Sequence, residues 1–259
     1  MYTPVKPGSS IAAENEALRD ALEEARKRLI VALDVPDAAA ATDMVRRLEG
    51  TCRWFKVGLE LFIASGPGVI EQLTAQGYSV FLDLKLHDIP NTVAGAVRSA
   101  AALGAKMMTV HAGGGPVMLA AAHAALEGIV NPPELLAVTV LTSMDAAQLL
   151  TVGVEKPPAE QVEALARMGL EAGLRGFVCS PAEVKRLRGL TGTEGVLVIP
   201  GIRPAGAESG DQKRVATPGE ALRGGASYLV VGRPITRAVH PAEAATGILR
   251  EMSQALARK

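Results

Sequence analysis

Residues 79–92 read SVFLDLKLHDIPNT, and this stretch contains the pattern from which the fold can be predicted. An apolar run ends in charged residues, and Pro90 follows where a helix would start, a position at which the missing N–H of proline costs nothing. Similar apolar runs, rich in β-branched residues, recur at residues 29–33, 54–59, 106–110, 135–141, 176–178, 195–199 and 227–231. Alanine-rich stretches with helical spacing lie between most of these runs, for example at residues 38–48, 93–103 and 117–126.

Strand runs that are apolar throughout, rather than alternating, suit a parallel sheet that is covered on both faces. Eight such runs with helical stretches between them favour an α/β fold of the (β/α)8 TIM-barrel type over an open doubly wound sheet. Residues 29–259 are predicted to form this single barrel domain. Residues 1–28 are predicted to be an N-terminal extension, whose charged amphipathic helix at residues 11–28 packs on the barrel.

Composition excludes several classes of protein. The chain has 259 residues, with 27 Lys and Arg against 27 Asp and Glu, and 48% of its residues are apolar. This apolar content excludes wholesale disorder, and the absence of a basic surplus argues against nucleic-acid binding. No apolar run approaches the roughly 18 residues of a membrane span, and the N-terminal residues lack the apolar core of a signal peptide. The sequence therefore predicts a soluble cytoplasmic protein with neither a nucleic acid nor a membrane as partner.

Polar residues occur within or just after the carboxyl ends of the predicted strands. In a (β/α)8 barrel these ends meet at one rim, where catalytic groups lie. The polar residues in such positions are Asp34, Lys56, Asp83, Lys85, His111, Ser143, Ser180, Arg203 and Arg233. Helix caps also require polar residues there. Taken together, however, so many such positions predict an active site at this rim.

The third apolar run supplies the most informative charges. Side chains two apart on a strand share a face, so Asp83 and Lys85 are expected to point into the barrel mouth while Leu84 packs under the helices. Buried charges need partners, which an alternating array of Lys56, Asp83, Lys85 and Asp88 would provide. A salt bridge that only fixes the register of the barrel is the alternative. Because neighbouring carboxylates stabilise an ammonium group, Lys85 suits proton donation to a carbanion, as in decarboxylation, better than Schiff-base formation.

The ends of the seventh and eighth runs predict a phosphate site. Loops after these strands commonly bind phosphate in such barrels, through glycine N–H groups and helix N-termini. Gly232 lets the backbone approach an anion, and Arg233 offers a forked donor to its oxygens. Arg203 ends the seventh run in a similar way. Residues 204–218 form a polar loop long enough to act as a lid, from which Gln212 would add a neutral donor.

Other candidate residues carry less information. His111 is either an acid–base group at the rim or a hydrogen-bonded wall residue. His87 lies one register off the charged pair and is expected to face a helix or an interface. The histidines show no spacing typical of metal ligands, so no metal site is predicted. Of the two cysteines, Cys52 and Cys179, neither forms a disulfide framework, and Cys179 is expected to be a buried structural thiol.

These motifs resemble those of the orotidine 5′-phosphate decarboxylase family, which catalyses the last step of uridine monophosphate synthesis. The resemblance covers about residues 29–244 and leaves the N-terminal helix outside. It rests on residues 32–34, 56–58, 83–92, 141–143, 200–204, 210–212 and 232–234. It implies cofactor-free decarboxylation of orotidine 5′-phosphate to uridine 5′-phosphate, in a homodimer with shared active sites.

The resemblance also implies roles for individual residues. Lys85 would be the general acid that protonates C6 of the pyrimidine after carbon dioxide leaves, and Asp83 would lie beside the substrate carboxylate. Lys56 and Asp34 would hold the ribose hydroxyls. The residues implied in reading the pyrimidine edge are Ser143 and the backbone of Thr142. The residues implied in binding phosphate are Arg203, Gln212, Gly232 and Arg233. The residues implied in completing the site of the neighbouring subunit are Asp88, Ile89 and Thr92.

Two other functions fit part of the pattern. Barrels that act as decarboxylases or aldolases on keto-sugar phosphates share an Asp-x-Lys-x-x-Asp strand but use magnesium to hold an enediolate. The continuation of that strand at residues 87–92 and the motif at 210–212 favour the pyrimidine enzyme. A non-catalytic barrel that binds a phosphate ligand would keep Arg233 but would not need Lys85 between two carboxylates.

Overall fold

The structure is a computed structural model that describes residues 8–204 and 214–257, with side chains described from residue 16 onward. Within these residues, eight parallel strands form a closed barrel in which each strand pairs with its neighbours in chain order. The strands are β1 (Leu29–Ala32), β2 (Trp54–Gly58), β3 (Ser79–Leu86), β4 (Met107–His111), β5 (Glu134–Val138), β6 (Gly176–Val178), β7 (Val196–Ile199) and β8 (Tyr228–Val231). The predicted (β/α)8 barrel is confirmed.

Helices lie between successive strands and cover the outside of the barrel. The helices are α1 (Gly8–Arg28), α2 (Ala38–Arg47), α3 (Leu59–Ser65), α4 (Gly68–Ala75), α5 (Pro90–Ala101), α6 (Gly115–Ala124), α7 (Ala146–Thr151), α8 (Pro158–Glu171), α9 (Val184–Thr191), α10 (Pro218–Gly224), α11 (Arg233–Thr236) and α12 (Pro241–Leu256). Pro90 occupies the first turn of α5, as the sequence predicts, because that turn has N–H groups without helical partners.

The core has two layers. The larger layer lies between the strands and the helices, and it includes Leu84, which packs there as expected. The smaller layer fills the barrel interior, where Ile30, Phe81, Leu136 and Val198 are almost fully buried. Because side chains close the interior, the barrel is a packed support with its opening at the rim formed by the strand ends.

The N-terminal helix α1 packs beside the last helix, α12. Ala25 of α1 is fully buried and belongs to the outer core layer. Three basic residues, Arg26, Lys27 and Arg28, occupy its last turn, where they complement the partial negative charge of the helix C-terminus. β1 begins at the next residue, Leu29, so α1 continues directly into the barrel.

None of the helices in residues 8–204 and 214–257 combines the length and the apolar character that crossing a membrane requires.

Candidate active site

A cavity of about 670 Å³ opens at the carboxyl ends of the strands. Its apolar floor includes Ala32, Phe81 and Val230 from the inner core layer. The candidate site residues predicted from the sequence that line this cavity are Asp34, Lys56, Asp83, Lys85, Thr142, Arg203, Gly232 and Arg233. Residues far apart in sequence therefore meet at one site, because parallel strands bring their carboxyl ends to the same rim.

Four charged side chains form a continuous array from the loop after β1 to β2 and β3. The Lys56 Nζ lies 2.9 Å from Asp34 Oδ1 and 3.7 Å from Asp83 Oδ2. On the other oxygen of the same carboxylate, Asp83 Oδ1 lies 2.9 Å from the Lys85 Nζ. Both Asp83 oxygens thus face ammonium groups, and the Asp83 side chain is only 13% exposed. Close pairing of this kind offsets the cost of removing these charges from water.

Gly58 leaves space for the Lys56 ammonium at the end of β2. A Cβ atom at residue 58 would lie 2.8 Å from Lys56 Nζ and 3.4 Å from Asp34 Oδ1. A side chain there would therefore require the Lys56 ammonium to shift from its present position. This contact explains why a glycine follows the lysine by two residues.

The expectation that Asp88 completes the charged array is wrong for the single chain. Among the described residues, no ion pair joins Asp88 to Lys56 or Lys85, and Asp34 is the second carboxylate of the array. Asp88 lies two residues beyond the end of β3, is exposed, and accepts a hydrogen bond from the Ile89 N–H at 2.6 Å. The strand has left the barrel wall by this point, so its side chains no longer face the interior.

The backbone at Lys85 is irregular, which sequence reasoning missed. Lys85 has a φ of +52°, in the left-handed region that non-glycine residues rarely adopt. The pairing of β3 with β4 shifts here, since Leu82 pairs with Met108 but Leu86 pairs with Val110. Three residues of β3 therefore lie opposite Thr109 alone, and the Lys85 N–H donates to the Thr109 Oγ1 at 2.8 Å. No sequence signal marks this bulge, because glycine is absent from it.

Two arginines lie at the end of the cavity formed by β7 and β8. Arg203 and Arg233 both line it, together with Gly232, which precedes the short helix α11. Burial, and secondarily the neighbouring Arg233 cation, lower the pKa of the Arg203 guanidinium. Two cations that line the same cavity favour an anion with more than one negative charge, such as a phosphate monoester.

Two histidines lie near Lys85, at the ends of β3 and β4. The rings of His87 and His111 are stacked, with centroids 5.1 Å apart and planes 8° from parallel. His111 Nδ1 accepts a hydrogen bond from the Gly113 N–H at 3.1 Å, as expected for a wall residue. Burial, followed by the charges of His87 and Lys85, lowers the pKa of His111. These contacts stabilise the neutral imidazole.

The remaining predicted residues lie outside the cavity lining or outside the described part of the chain. Ser143 is exposed on the loop after β5, next to Thr142. Ile89 and Thr92 are exposed at the junction of β3 and α5, with Ile89 68% accessible. Gln212 and most of the proposed lid, residues 204–218, fall in the stretch 205–213 that the structure does not describe. Cavity residues that sequence reasoning missed include Glu60, Thr236 and Arg237.

Cys179 also touches the cavity and is 1% exposed. Burial raises the pKa of its thiol far above the ordinary range, so the thiolate is disfavoured and the expected structural role is supported. Among the described residues, no group of three or more His, Cys, Asp and Glu side chains is arranged to hold a metal ion.

The fold and the site define a (β/α)8 barrel with a charged lysine–aspartate array at one side of its mouth and paired arginines at another. The sequence model of the "Orotidine 5'-phosphate decarboxylase / HUMPS family" matches residues 27–248. The chain belongs to this family.

Individual relatives agree with this assignment. The chain is 52% identical over 234 residues to the orotidine 5′-phosphate decarboxylase of Moorella thermoacetica, an alignment that covers 88% of this chain and 93% of that protein. It is 53% identical over 222 residues to the enzyme of the same name from Anaeromyxobacter sp. strain K, covering 86% of this chain and 96% of the relative. The crystal structure of orotidine 5′-phosphate decarboxylase from Lactobacillus acidophilus superposes with a TM-score of 0.77 at 41% identity, covering 87% and 98% of the two chains.

Proposed function

We propose that this protein decarboxylates orotidine 5′-phosphate to uridine 5′-phosphate, the reaction that completes pyrimidine nucleotide synthesis. The observation that carries the proposal is the ion-paired chain Asp34–Lys56–Asp83–Lys85, which shares one cavity with Arg203 and Arg233. The relatives described above, at 52% and 53% identity over most of the chain, are named for this activity. A barrel that only binds a phosphate ligand would not require the ion-paired array of Asp34, Lys56, Asp83 and Lys85.

Lys85 is the proton donor in this proposal. When the bond from C6 to the carboxylate breaks, carbon dioxide leaves and its electron pair stays on C6. The Lys85 ammonium stabilises this carbanion and then transfers a proton from Nζ to C6, which yields uridine 5′-phosphate. The 2.9 Å contact with Asp83 Oδ1 holds the ammonium in place before the reaction. Fixed charges of this kind stabilise a transition state without reorganisation, so the reaction needs no cofactor.

The other members of the charged chain hold the substrate. Lys56 and Asp34 bind ribose hydroxyls, for which an ammonium donor and a carboxylate acceptor 2.9 Å apart are suited. Asp83 lies beside the substrate carboxylate. Its repulsion of that carboxylate is a ground-state effect, to which we assign less of the rate than to Lys85.

The ends of the substrate are recognised on two further loops. The backbone of Thr142 and the side chain of Ser143 read the pyrimidine edge from the loop after β5. The phosphate is held by Arg203, Gly232 and Arg233, with Gln212 from the loop at residues 204–218. The phosphate lies away from C6, and its binding energy supports the chemistry at C6.

The protein acts as a homodimer with shared active sites in this proposal. Asp88, Ile89 and Thr92 are exposed together where β3 passes into α5, beside the cavity but outside its lining. A second copy of the chain would cover Ile89, a large apolar side chain that is 68% exposed. Asp88 would then contribute its carboxylate to the site of the neighbouring subunit.

The test is the ultraviolet absorbance of orotidine 5′-phosphate with purified protein, measured with and without excess chelator. We expect conversion to uridine 5′-phosphate at the same rate in both conditions. Loss of activity with chelator would instead support a magnesium-dependent relative acting on a sugar phosphate. No conversion by folded protein that still binds uridine 5′-phosphate would support a binding barrel.

A pair of lysine variants tests the proton donor. Lys85→Ala is expected to lower kcat by about 100- to 10,000-fold or more, since the first figures are the usual contribution of a general acid. Uridine 5′-phosphate should still bind to this variant. The matched control is Lys106→Ala, which removes an exposed lysine that directly precedes β4, at the opposite end of the barrel. Full activity in Lys85→Ala would disprove the assigned role.

A further inference from the structure

Thr109 of β4 is a buried polar residue that lies beneath the charged chain. Thr109 is 1% exposed and does not line the cavity. Its Oγ1 accepts a hydrogen bond from the Lys85 N–H at 2.8 Å and donates one to Asp83 Oδ1 at 3.1 Å. A hydroxyl has one proton to donate and lone pairs to accept, so both bonds can form at once.

Asp83 Oδ1 is the point at which Thr109 and Lys85 meet. The same oxygen that accepts from the Thr109 hydroxyl lies 2.9 Å from the Lys85 Nζ. Thr109 therefore bonds directly to the Lys85 backbone. It is also linked to the Lys85 ammonium through the Asp83 carboxylate. These contacts close a ring from the Lys85 backbone to the end of its own side chain.

The backbone of Lys85 needs such a contact. Its φ of +52° crowds the Cβ atom against the backbone, so this conformation persists only where surrounding contacts hold it. Regular pairing does not do so, because the register shift between Leu82 and Leu86 takes this part of β3 out of the ladder with β4. The side chain of Thr109 supplies the acceptor that the Lys85 N–H would otherwise lack.

We infer that Thr109 is a positioning residue for the reaction, whose hydroxyl fixes both the Lys85 backbone and the Asp83 carboxylate. The inference rests on the proposed function, in which Lys85 donates the proton to C6. Thr109 does not line the cavity, so its effect on the reaction passes through Lys85 and Asp83. It acts by setting the direction from which the Lys85 ammonium approaches, and displacement of a reacting group by about 1 Å can cost on the order of 100-fold in rate.

Thr139 provides a matched control because it is an equally buried threonine with an ordinary role. It is 1% exposed, directly follows β5, and its hydroxyl donates to the Val178 carbonyl oxygen at 2.9 Å. That bond joins two neighbouring strands and involves no charged group. Removing the Thr139 hydroxyl perturbs the barrel wall, and removing the Thr109 hydroxyl perturbs the barrel wall and Lys85 together.

The kinetic experiment compares Thr109→Val, Thr109→Ser and Thr139→Val. For Thr109→Val we expect kcat to fall by about 10- to 100-fold, with KM and the affinity for uridine 5′-phosphate within about threefold of the parent protein. Thr109→Ser keeps the hydroxyl and is expected to retain kcat within about threefold. Thr139→Val is expected to keep the parent kcat. If Thr109→Val does not fold, Thr109→Ser and Thr109→Ala differ by one oxygen atom and carry the same comparison.

Three results would overturn the inference. Parent kcat in folded Thr109→Val would show that the hydroxyl does not position Lys85. Equal losses in Thr109→Val and Thr139→Val would show a general effect of buried hydroxyls. A loss in Thr109→Ser as large as in Thr109→Val would show that keeping the hydroxyl does not preserve the rate, so the effect would not belong to the hydroxyl.

Hydrogen exchange separates this inference from the proposed function. With lysine labelled by 15N, the Lys85 amide is expected to lose protection in Thr109→Val and to keep it in Thr109→Ser, whatever the substrate of the protein is. Unchanged protection of the Lys85 amide in Thr109→Val would refute the positioning contact. Absence of orotidine 5′-phosphate turnover in the parent protein would refute the proposed function and leave the amide measurement valid.

Discussion

Replacing Glu183 with alanine is expected to destabilise the protein and to disturb the rim of the cavity. Glu183 directly precedes α9 and is 3% exposed. One of its carboxylate oxygens accepts from the backbone N–H of Ser180 at 3.1 Å and from the Ser180 hydroxyl. The other oxygen pairs with the guanidinium of Arg214, which also donates to the Leu141 carbonyl oxygen at 3.2 Å. Glu183 thus ties together the loops that follow β5, β6 and β7.

The expected loss follows from these contacts. Removing one member of a buried ion pair costs about 3–5 kcal/mol, because the remaining charge stays buried without its partner. For a domain somewhat above 200 residues, each 1 kcal/mol lowers Tm by about 2–4 °C, so the expected decrease is roughly 6–20 °C. Glu183→Gln should lose less, because its amide oxygen can still accept from the Ser180 N–H and its side chain fills the same space, although the amide nitrogen, a donor, cannot pair with Arg214.

Thermal unfolding of Glu183→Ala, Glu183→Gln and Glu163→Ala measures this effect. Glu163 is a suitable control because it also pairs with two arginines, Arg167 and Arg186, but on the surface of the protein. Exposed ion pairs contribute little, so Glu163→Ala should leave Tm nearly unchanged. A decrease for Glu183→Ala no larger than for Glu163→Ala would refute the reasoning, since burial would then have no effect on the strength of the pair.

Two further predictions concern the ligand and the assembly. Arg233→Ala is expected to raise the Kd for uridine 5′-phosphate by about 10- to 100-fold, because a hydrogen bond to a charged group contributes roughly 1.5–3 kcal/mol. Calorimetric titration measures this, with Arg223→Ala, an exposed arginine on α10, as the unaffected control; an unchanged Kd in Arg233→Ala would exclude the phosphate contact. Mixing inactive Lys85→Ala and Asp88→Ala chains is expected to restore about one quarter of the parent activity, since half of randomly formed dimers would contain one intact shared site. No rescue despite demonstrated subunit exchange would contradict a shared site.

The barrel could be predicted from the sequence because parallel strands buried on both faces leave continuous apolar runs. The positions of Asp34 and Arg233 followed from the same pattern, since each comes just after the end of a run, and Lys56 stood out as a charged residue inside the second run. The run at residues 135–141 shows the limit of this reasoning. β5 ends at Val138, and the apolar residues after it enter the rim loop, where Val140 lines the cavity. Apolar character alone does not separate a strand from the loop that covers a site.

The contact between Lys85 and Asp83 was predicted from strand alternation, but the structure achieves it in another way. Alternation requires a regular strand, and β3 is irregular between Leu82 and Leu86. The conformation of Lys85 depends on Thr109, which is 24 residues away in sequence and on a different strand. A pattern within one strand cannot contain this information, because tertiary contacts override local preference.

The irregularity of β3 also explains why Asp88 is absent from the array within one chain. The strand takes up three residues opposite Thr109, and the chain then turns outward toward Pro90 and α5. Asp88 is therefore carried past the rim, and Asp34 of the first βα loop supplies the second carboxylate beside Lys56. Within one chain, the ammonium groups of Lys56 and Lys85 balance the carboxylates of Asp34 and Asp83. An Asp88 carboxylate contributed to the site of a neighbouring subunit would therefore add one negative charge to a balanced array. A charge of this kind beside Lys85 would further stabilise the ammonium before proton transfer, which is the reason to expect full inactivation in Asp88→Ala rather than a loss of binding alone.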